Sequence, residues 1–184
     1  MTDKRVTKHF DLIIKAGTVA TTDTKESSDI GIQNGKISEL GDLSQRSSGE
    51  TIDAKGLHIL PGIIDSQVHF REPGNELKED MLTGSKAAIL GGVTTVFEMP
   101  NTSPPTTTED AFADKLRRAK DRYHCDYGFF VGASPENIPS LPALEKIPGC
   151  SGVKIFMGSS TGSLLIPTDE LLSRVLESGV RRAA

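Results

Sequence analysis

The chain contains no tryptophan, only two tyrosines and four histidines, and aromatic residues make up 5% of its 184 residues. Its two cysteines, Cys125 and Cys150, lie far apart and lack CxxC spacing. That argues against a disulfide scaffold or a zinc knuckle and for a reduced, cytosolic pair. No apolar stretch reaches the roughly 18–20 residues that a membrane span requires. The opening residues, MTDKRVTKHFDLII, carry charge but no apolar segment ending in a small-residue cleavage site, so no secretory leader is expected. Nor is there a basic block. The 21 Lys and Arg are scattered among 25 Asp and Glu, which points away from nucleic acid and from an anionic membrane as partners. A soluble, cytoplasmic protein is the expectation.

The length allows a sizeable core, in one domain or two small ones. Residues 1–61 read as short strands: DLIIKAG and DIGIQNGKISEL alternate in polarity. Asn34-Gly35 is a strong hairpin signal, because both residues tolerate positive φ. The turn formers SQRSSGE separate this hairpin from TIDAKGLHILPG. Together these segments predict a small β-sandwich-like unit.

From residue 62 the pattern changes. GIIDSQVHF, VTTVFEMP, HCDYGFFVGAS and SGVKIFMG are apolar strands. Between and after them lie helical stretches. In NELKEDMLTGSKAAILGG, Leu77, Met81, Ala88 and Ile89 share a helical face, and Gly91-Gly92 supplies a stop. Thr108 opens a helix through Arg122, PENIPSLPALEKIPG is weakly helical, and Thr168 opens the last helix. Apolar strands alternating with helices indicate an α/β fold with parallel strands covered on both faces. Four β-then-α units over residues 62–184 fit the first half of a (β/α)8 barrel, with a short open sheet as the alternative. A whole barrel takes about 200–250 residues, so the barrel is incomplete within this chain.

In such architectures binding groups collect where strands pass into the following loops. LPGIIDSQVHFREPG therefore draws attention to Gln67, His69 and Arg71, MPNTSPP to Asn101, and GVKIFMG to Lys154. Each also has a plainer explanation. A lone histidine near a strand end is commonly packed or hydrogen-bonded rather than a ligand. Arg71 could brace the Pro73-Gly74 turn, although a guanidinium also grips a carboxylate bidentately. Asn101 is a frequent turn residue that offers both a donor and an acceptor. Lys154 stands among apolar residues, where an unpaired ammonium is costly and should be neutralised, paired or modified. A neutral amine there could take up CO₂ as a carbamate with two oxygens for metal ions; the alternative is a strand-end lysine reaching solvent. His9, His58 and His124 carry no sign of a functional role.

Taken in order, these segments resemble a known family. DLIIKAGTVATTDTKESSDIGIQNGKISELG followed by IDAKGLHILPGIIDSQVHFREPG is similar to the start of cyclic amidohydrolases of the amidohydrolase superfamily. HFREPG, GGVTTVFEMPNTSPPTT and GVKIFMGSSTG resemble dihydroorotases in particular. The resemblance implies a β-sandwich-like part joined to a metal-dependent TIM-type barrel. It implies zinc, one or two ions per complete site, with His69 as a ligand and Lys154 as a carboxylated lysine bridging two metals. It makes Arg71 and Asn101 the holders of the substrate carboxylate. The implied reaction opens the ring amide of dihydroorotate to carbamoyl-aspartate, reversibly, in pyrimidine biosynthesis. An arginine directly after His-Phe favours dihydroorotase over hydantoinase- and allantoinase-like relatives, whose substrates lack that carboxylate.

Two departures accompany the resemblance. Gln67 stands where the family has its first histidine, and an amide oxygen is a poorer zinc ligand than imidazole; weaker occupancy of one metal position is expected. The family's two further histidines and its catalytic aspartate have no counterpart in residues 1–184, so the general acid/base is expected beyond residue 184. The chain is therefore expected to be an incomplete, inactive portion of a dihydroorotase. The alternative is a non-catalytic dihydroorotase-like scaffold or partner subunit. The uncovered strand edges of a half barrel also predict a homo-oligomer or a partner chain.

Overall fold

The computed structural model describes residues 9–158 and 164–184. The last residues of GVKIFMGSSTG fall outside them. The chain divides into two compact units, Met1–Pro61 and Gly62–Ala184.

In the first unit the strands are β1 (His9–Ala20), β2 (Lys25–Gln33), β3 (Lys36–Gly41), β4 (Ser47–Asp53) and β5 (His58–Ile59). Asn34 and Gly35 both have positive φ, +52° and +70°, and close the expected β2–β3 hairpin. The predicted sandwich is corrected by the pairing, which gives one mixed sheet in the order β3-β2-β1-β4 with β5 also on β1. The reason lies in β1, whose register shifts between Ile14 and Gly17 with Ala16 at φ +59°. Before this bulge β1 pairs with β4 and after it with β5. One long strand thus replaces two layers. The Asp29 carboxylate fixes the bulge by accepting from Ala16 N (2.9 Å) and from Leu43 N (3.1 Å). Phe10, Ile13 and Leu43 form the buried centre.

The second unit runs β6 (Ile63–Val68), α1 (Met81–Leu90), β7 (Val93–Glu98), α2 (Glu109–Ala119), β8 (Asp126–Gly132), α3 (Leu141–Leu144), β9 (Cys150–Lys154) and α4 (Asp169–Glu177). Its strands form a parallel sheet in chain order, β6-β7-β8-β9, as the opening of a (β/α)8 barrel would have. Residues 182–184 continue alongside β9: Val153 N donates to Arg182 O (2.7 Å) and Ile155 N to Ala184 O (2.8 Å). Asp80, Thr108 and Thr168 cap α1, α2 and α4, each side chain accepting a backbone N–H of the first turn, which satisfies a donor the helix leaves free. PENIPSLPALEKIPG becomes a 3₁₀ turn at Ile138–Ser140 and the single turn α3, each with a proline as its second residue. Phe112, Phe129, Val131, Leu141, Val153 and Val175 lie in the core.

Two expectations fail in detail. Leu77 precedes α1 and is fully exposed, and Ile89 is also exposed; the buried face is Met81, Gly84 and Ser85. The helix approaches closely through its small residues, for a Cβ on Gly84 would lie 2.6 Å from the Phe70 ring. Strand β6 is not covered on both faces either. Ile63 and Ile64 are 55% and 62% exposed, because among the described residues β6 has β7 as its one neighbour.

Candidate functional site

The candidate residues lie at the C-terminal ends of β6, β7 and β9. Past β6 the chain enters His69-Phe70-Arg71-Glu72-Pro73-Gly74, with Arg71 at φ +60°. A left-handed conformation at a non-glycine residue costs on the order of 1–3 kcal/mol and needs surrounding structure to hold it. The next residue provides that hold. Glu72 is buried and accepts from Arg122 Nη1 (2.6 Å) and Nη2 (3.0 Å) and from Met81 N (3.1 Å). One carboxylate therefore ties the turn to the start of α1 and to Arg122, which follows α2.

The loop after β7 meets this turn. Met99 N donates to Val68 O (3.0 Å) and Ser103 N to Pro73 O (3.0 Å). Gly74 packs so close to Ser103 that a Cβ would lie 2.3 Å from its carbonyl oxygen. This contact brings Asn101 to His69: the imidazole Nδ1–H donates to Asn101 Oδ1 at 2.9 Å. The bond leaves Nε2 with its lone pair, the form a metal ligand needs. Burial pushes the His69 pKa below the usual imidazole value, and the Arg71, Lys154 and Lys115 charges push it the same way, against the Asn101 bond. The neutral form of His69 is thus favoured. Arg71 and Asn101 line one pocket of about 140 Å³ with Gly74, Asn75 and Thr102, room for several water-sized groups at roughly 30 Å³ each.

The other two expected donors are less committed. Lys154 is half-buried, with its ammonium 5.5 Å from the centroid of the Phe156 ring. Gln67 is exposed, and its backbone N–H donates to Asp65 Oδ1 (3.0 Å). Among the described residues no group of three His, Cys, Asp or Glu side chains is placed to hold a metal. Zinc takes three protein ligands at a catalytic site and four at a structural one. The described residues contain one sound donor, His69, and do not close a zinc site. His9 bonds to Ser47 (3.1 Å), and the His124 backbone donates to Ser85 Oγ (3.2 Å). A larger hollow of about 920 Å³, lined by Thr108, Glu109, Glu136 and Asn137 among others, contains none of the candidate residues.

One feature of this region escaped the sequence reading. Glu98, the last residue of β7, and Lys115, in α2, are both fully buried, with Nζ 3.5 Å from Oε1. Lys115 Nζ also donates to Met99 O (3.1 Å) and lies 5.3 Å from the Phe129 ring centroid. Tyr123 OH donates to Glu98 Oε2 at 3.5 Å. Burial pushes the Glu98 carboxyl up to about 7 and the Lys115 amine down. A signal was present: Lys115 shares a helical face with Phe112, Leu116 and Ala119, where a charge is out of place.

Known proteins are similar to this chain in sequence and in fold. The model of the amidohydrolase family matches residues 58–171. A dihydroorotase of Methanosarcina mazei is 40% identical over 168 residues, covering 91% of this chain and 37% of that protein. An allantoinase of Deinococcus radiodurans is 35% identical over 175 residues, covering 95% of this chain and 38% of that protein. Among solved structures, an L-hydantoinase from Arthrobacter aurescens superimposes with a TM-score of 0.82 at 32% identity, covering 90% of this chain and 37% of that one. The chain spans less than two-fifths of the length of each of these relatives.

Proposed function

Because the chain belongs to the amidohydrolase family, we propose that it is a portion of a cytoplasmic, dihydroorotase-type cyclic amidohydrolase. Its substrate is dihydroorotate, whose ring amide is opened to carbamoyl-aspartate and closed again in biosynthesis. The observation that carries this reading is the shared pocket of Arg71 and Asn101 beside His69. Arg71 presents a planar fork of donors that suits a carboxylate. Asn101 gives its oxygen to His69 and keeps its NH₂ group to donate to the same anion. The restrained, left-handed Arg71 turn supports a role in binding, since strained residues concentrate where geometry matters.

His69 is proposed as a zinc ligand through Nε2, with a carboxylated Lys154 and, more weakly, Gln67. Zinc, if held in part by these residues together with ligands outside residues 1–184, would supply a Lewis acid able to activate water near neutral pH. The remaining ligands and the aspartate that acts as general acid/base belong outside residues 1–184, so residues 1–184 alone are proposed to bind substrate without turning it over. Two relatives favour a second reading, an allantoinase- or hydantoinase-type enzyme; these substrates leave Arg71 without a carboxylate to pair.

Titration calorimetry with dihydroorotate, hydantoin and allantoin separates the two. The dihydroorotase reading expects dihydroorotate to bind at least about tenfold more tightly, one charge-assisted contact at roughly 1.4 kcal/mol per decade. Equal or tighter binding of an uncharged ring overturns it.

A further inference from the structure

We propose that Lys115 is a positioning residue, which sets the Asn101 amide against His69 by holding the Met99 carbonyl. The inference rests on His69 and Asn101 belonging to the site, and it is independent of which cyclic amide is the substrate.

The backbone changes course within three residues of the end of β7. Met99 N–H makes the last bond toward β6, to Val68 O (3.0 Å), while its carbonyl accepts from Lys115 Nζ (3.1 Å). Met99 is therefore held on both of its polar groups. Pro100 contributes no N–H, and its carbonyl accepts from Thr102 N and Thr106 N, both at 2.9 Å. Asn101 follows directly on these two anchors, and its side-chain oxygen meets His69 Nδ1 at 2.9 Å. Removing the ammonium frees the Met99 carbonyl, the anchor nearer to the strand.

The pair's energetics fit positioning better than stabilisation. Lys115 and Glu98 are both fully buried, and taking two charges out of water costs several kcal/mol per ion. Their contact is imperfect: Glu98 Oε1 accepts no hydrogen bond among the described residues. Apolar side chains of similar volume commonly serve a core as well or better. A leucine or methionine, however, cannot donate to a carbonyl, and that donation is what Lys115 adds.

The test is the ¹⁵N spectrum of the His69 ring in the full chain, at one fixed pH above the imidazole range. In the wild type the Asn101 oxygen selects the Nδ1–H tautomer, so the two ring nitrogens have well-separated shifts. Asn101→Ala supplies the reference for a lost contact. Lys115→Met is expected to keep a dispersed amide spectrum while its His69 shifts move to those of Asn101→Ala. The double variant Glu98→Leu, Lys115→Met leaves no unpaired carboxylate and is expected to do the same if the single variant does not fold. Folded variants with wild-type His69 shifts overturn the proposal. So does failure of both variants to fold, which would make the pair a folding element. No substrate enters the measurement, so a wrong assignment of the cyclic amide leaves its outcome untouched.

Discussion

His69 shows how neighbours define a residue's chemistry. Burial and the surrounding cations lower its pKa from the ordinary 6.5, so the unfolded chain binds a proton more readily than the folded one. Its contribution to stability is therefore present above about pH 6.5 and is lost as the pH falls through the lower, folded value. Urea denaturation at about pH 8 and pH 5.5 should show wild type losing more stability on acidification than His69→Gln. Equal losses would mean that the imidazole is not held neutral. That His69, Arg71, Asn101 and Lys154 stand at or just past strand ends was legible in the sequence, because the apolar strands of a parallel sheet can be located whatever the side-chain details. Glu98 and Lys115 were not, because each is an isolated charge in an otherwise regular apolar pattern. The periodicity that identifies β7 and α2 says nothing of the partner a buried charge finds across them.

Among the elements, the helix starts were readable from their caps, since Thr108 and Thr168 each stand before an acidic first turn. The packing of α1 was not. Spacing of large apolar residues pointed to Leu77 and Ile89, whereas the contact is made through Gly84 and Ser85, which carry little hydropathy. Gly84→Ala tests this packing. The new methyl would lie 2.6 Å from the Phe70 ring, and overpacking of this kind typically costs about 1–3 kcal/mol. Alanine on an exposed helix face would instead stabilise by up to about 1 kcal/mol. The sign of the change in urea midpoint decides between the two. The single sheet of the first unit was hidden for a related reason. Its cause is Ala16 at positive φ, a conformation that alanine rarely takes and that composition does not announce.

At the scale of the molecule, the parallel βα order was the most legible feature, because a change from alternating to largely apolar strands accompanies burial in a parallel sheet. The exception is β6, an edge strand with Ile63 and Ile64 exposed. Unpaired edges with apolar side chains invite pairing with another chain. Sedimentation of the wild type is expected to depend on concentration, and Ile64→Lys is expected to reduce that dependence. A wild type that stays monomeric at high concentration would remove the case for a partner on this edge.

Arg71 and Asn101 are proposed to grip a carboxylate beside a histidine proposed to bind metal. Comparing dihydroorotate affinity between wild type and Arg71→Lys by calorimetry tests this most directly. Lysine keeps the positive charge but loses the bidentate fork. Weakening of about ten- to a hundredfold is expected, matching the roughly 1.5–3 kcal/mol of a charge-assisted hydrogen bond. Unchanged affinity would contradict it, and would return Arg71 to the role of a turn residue.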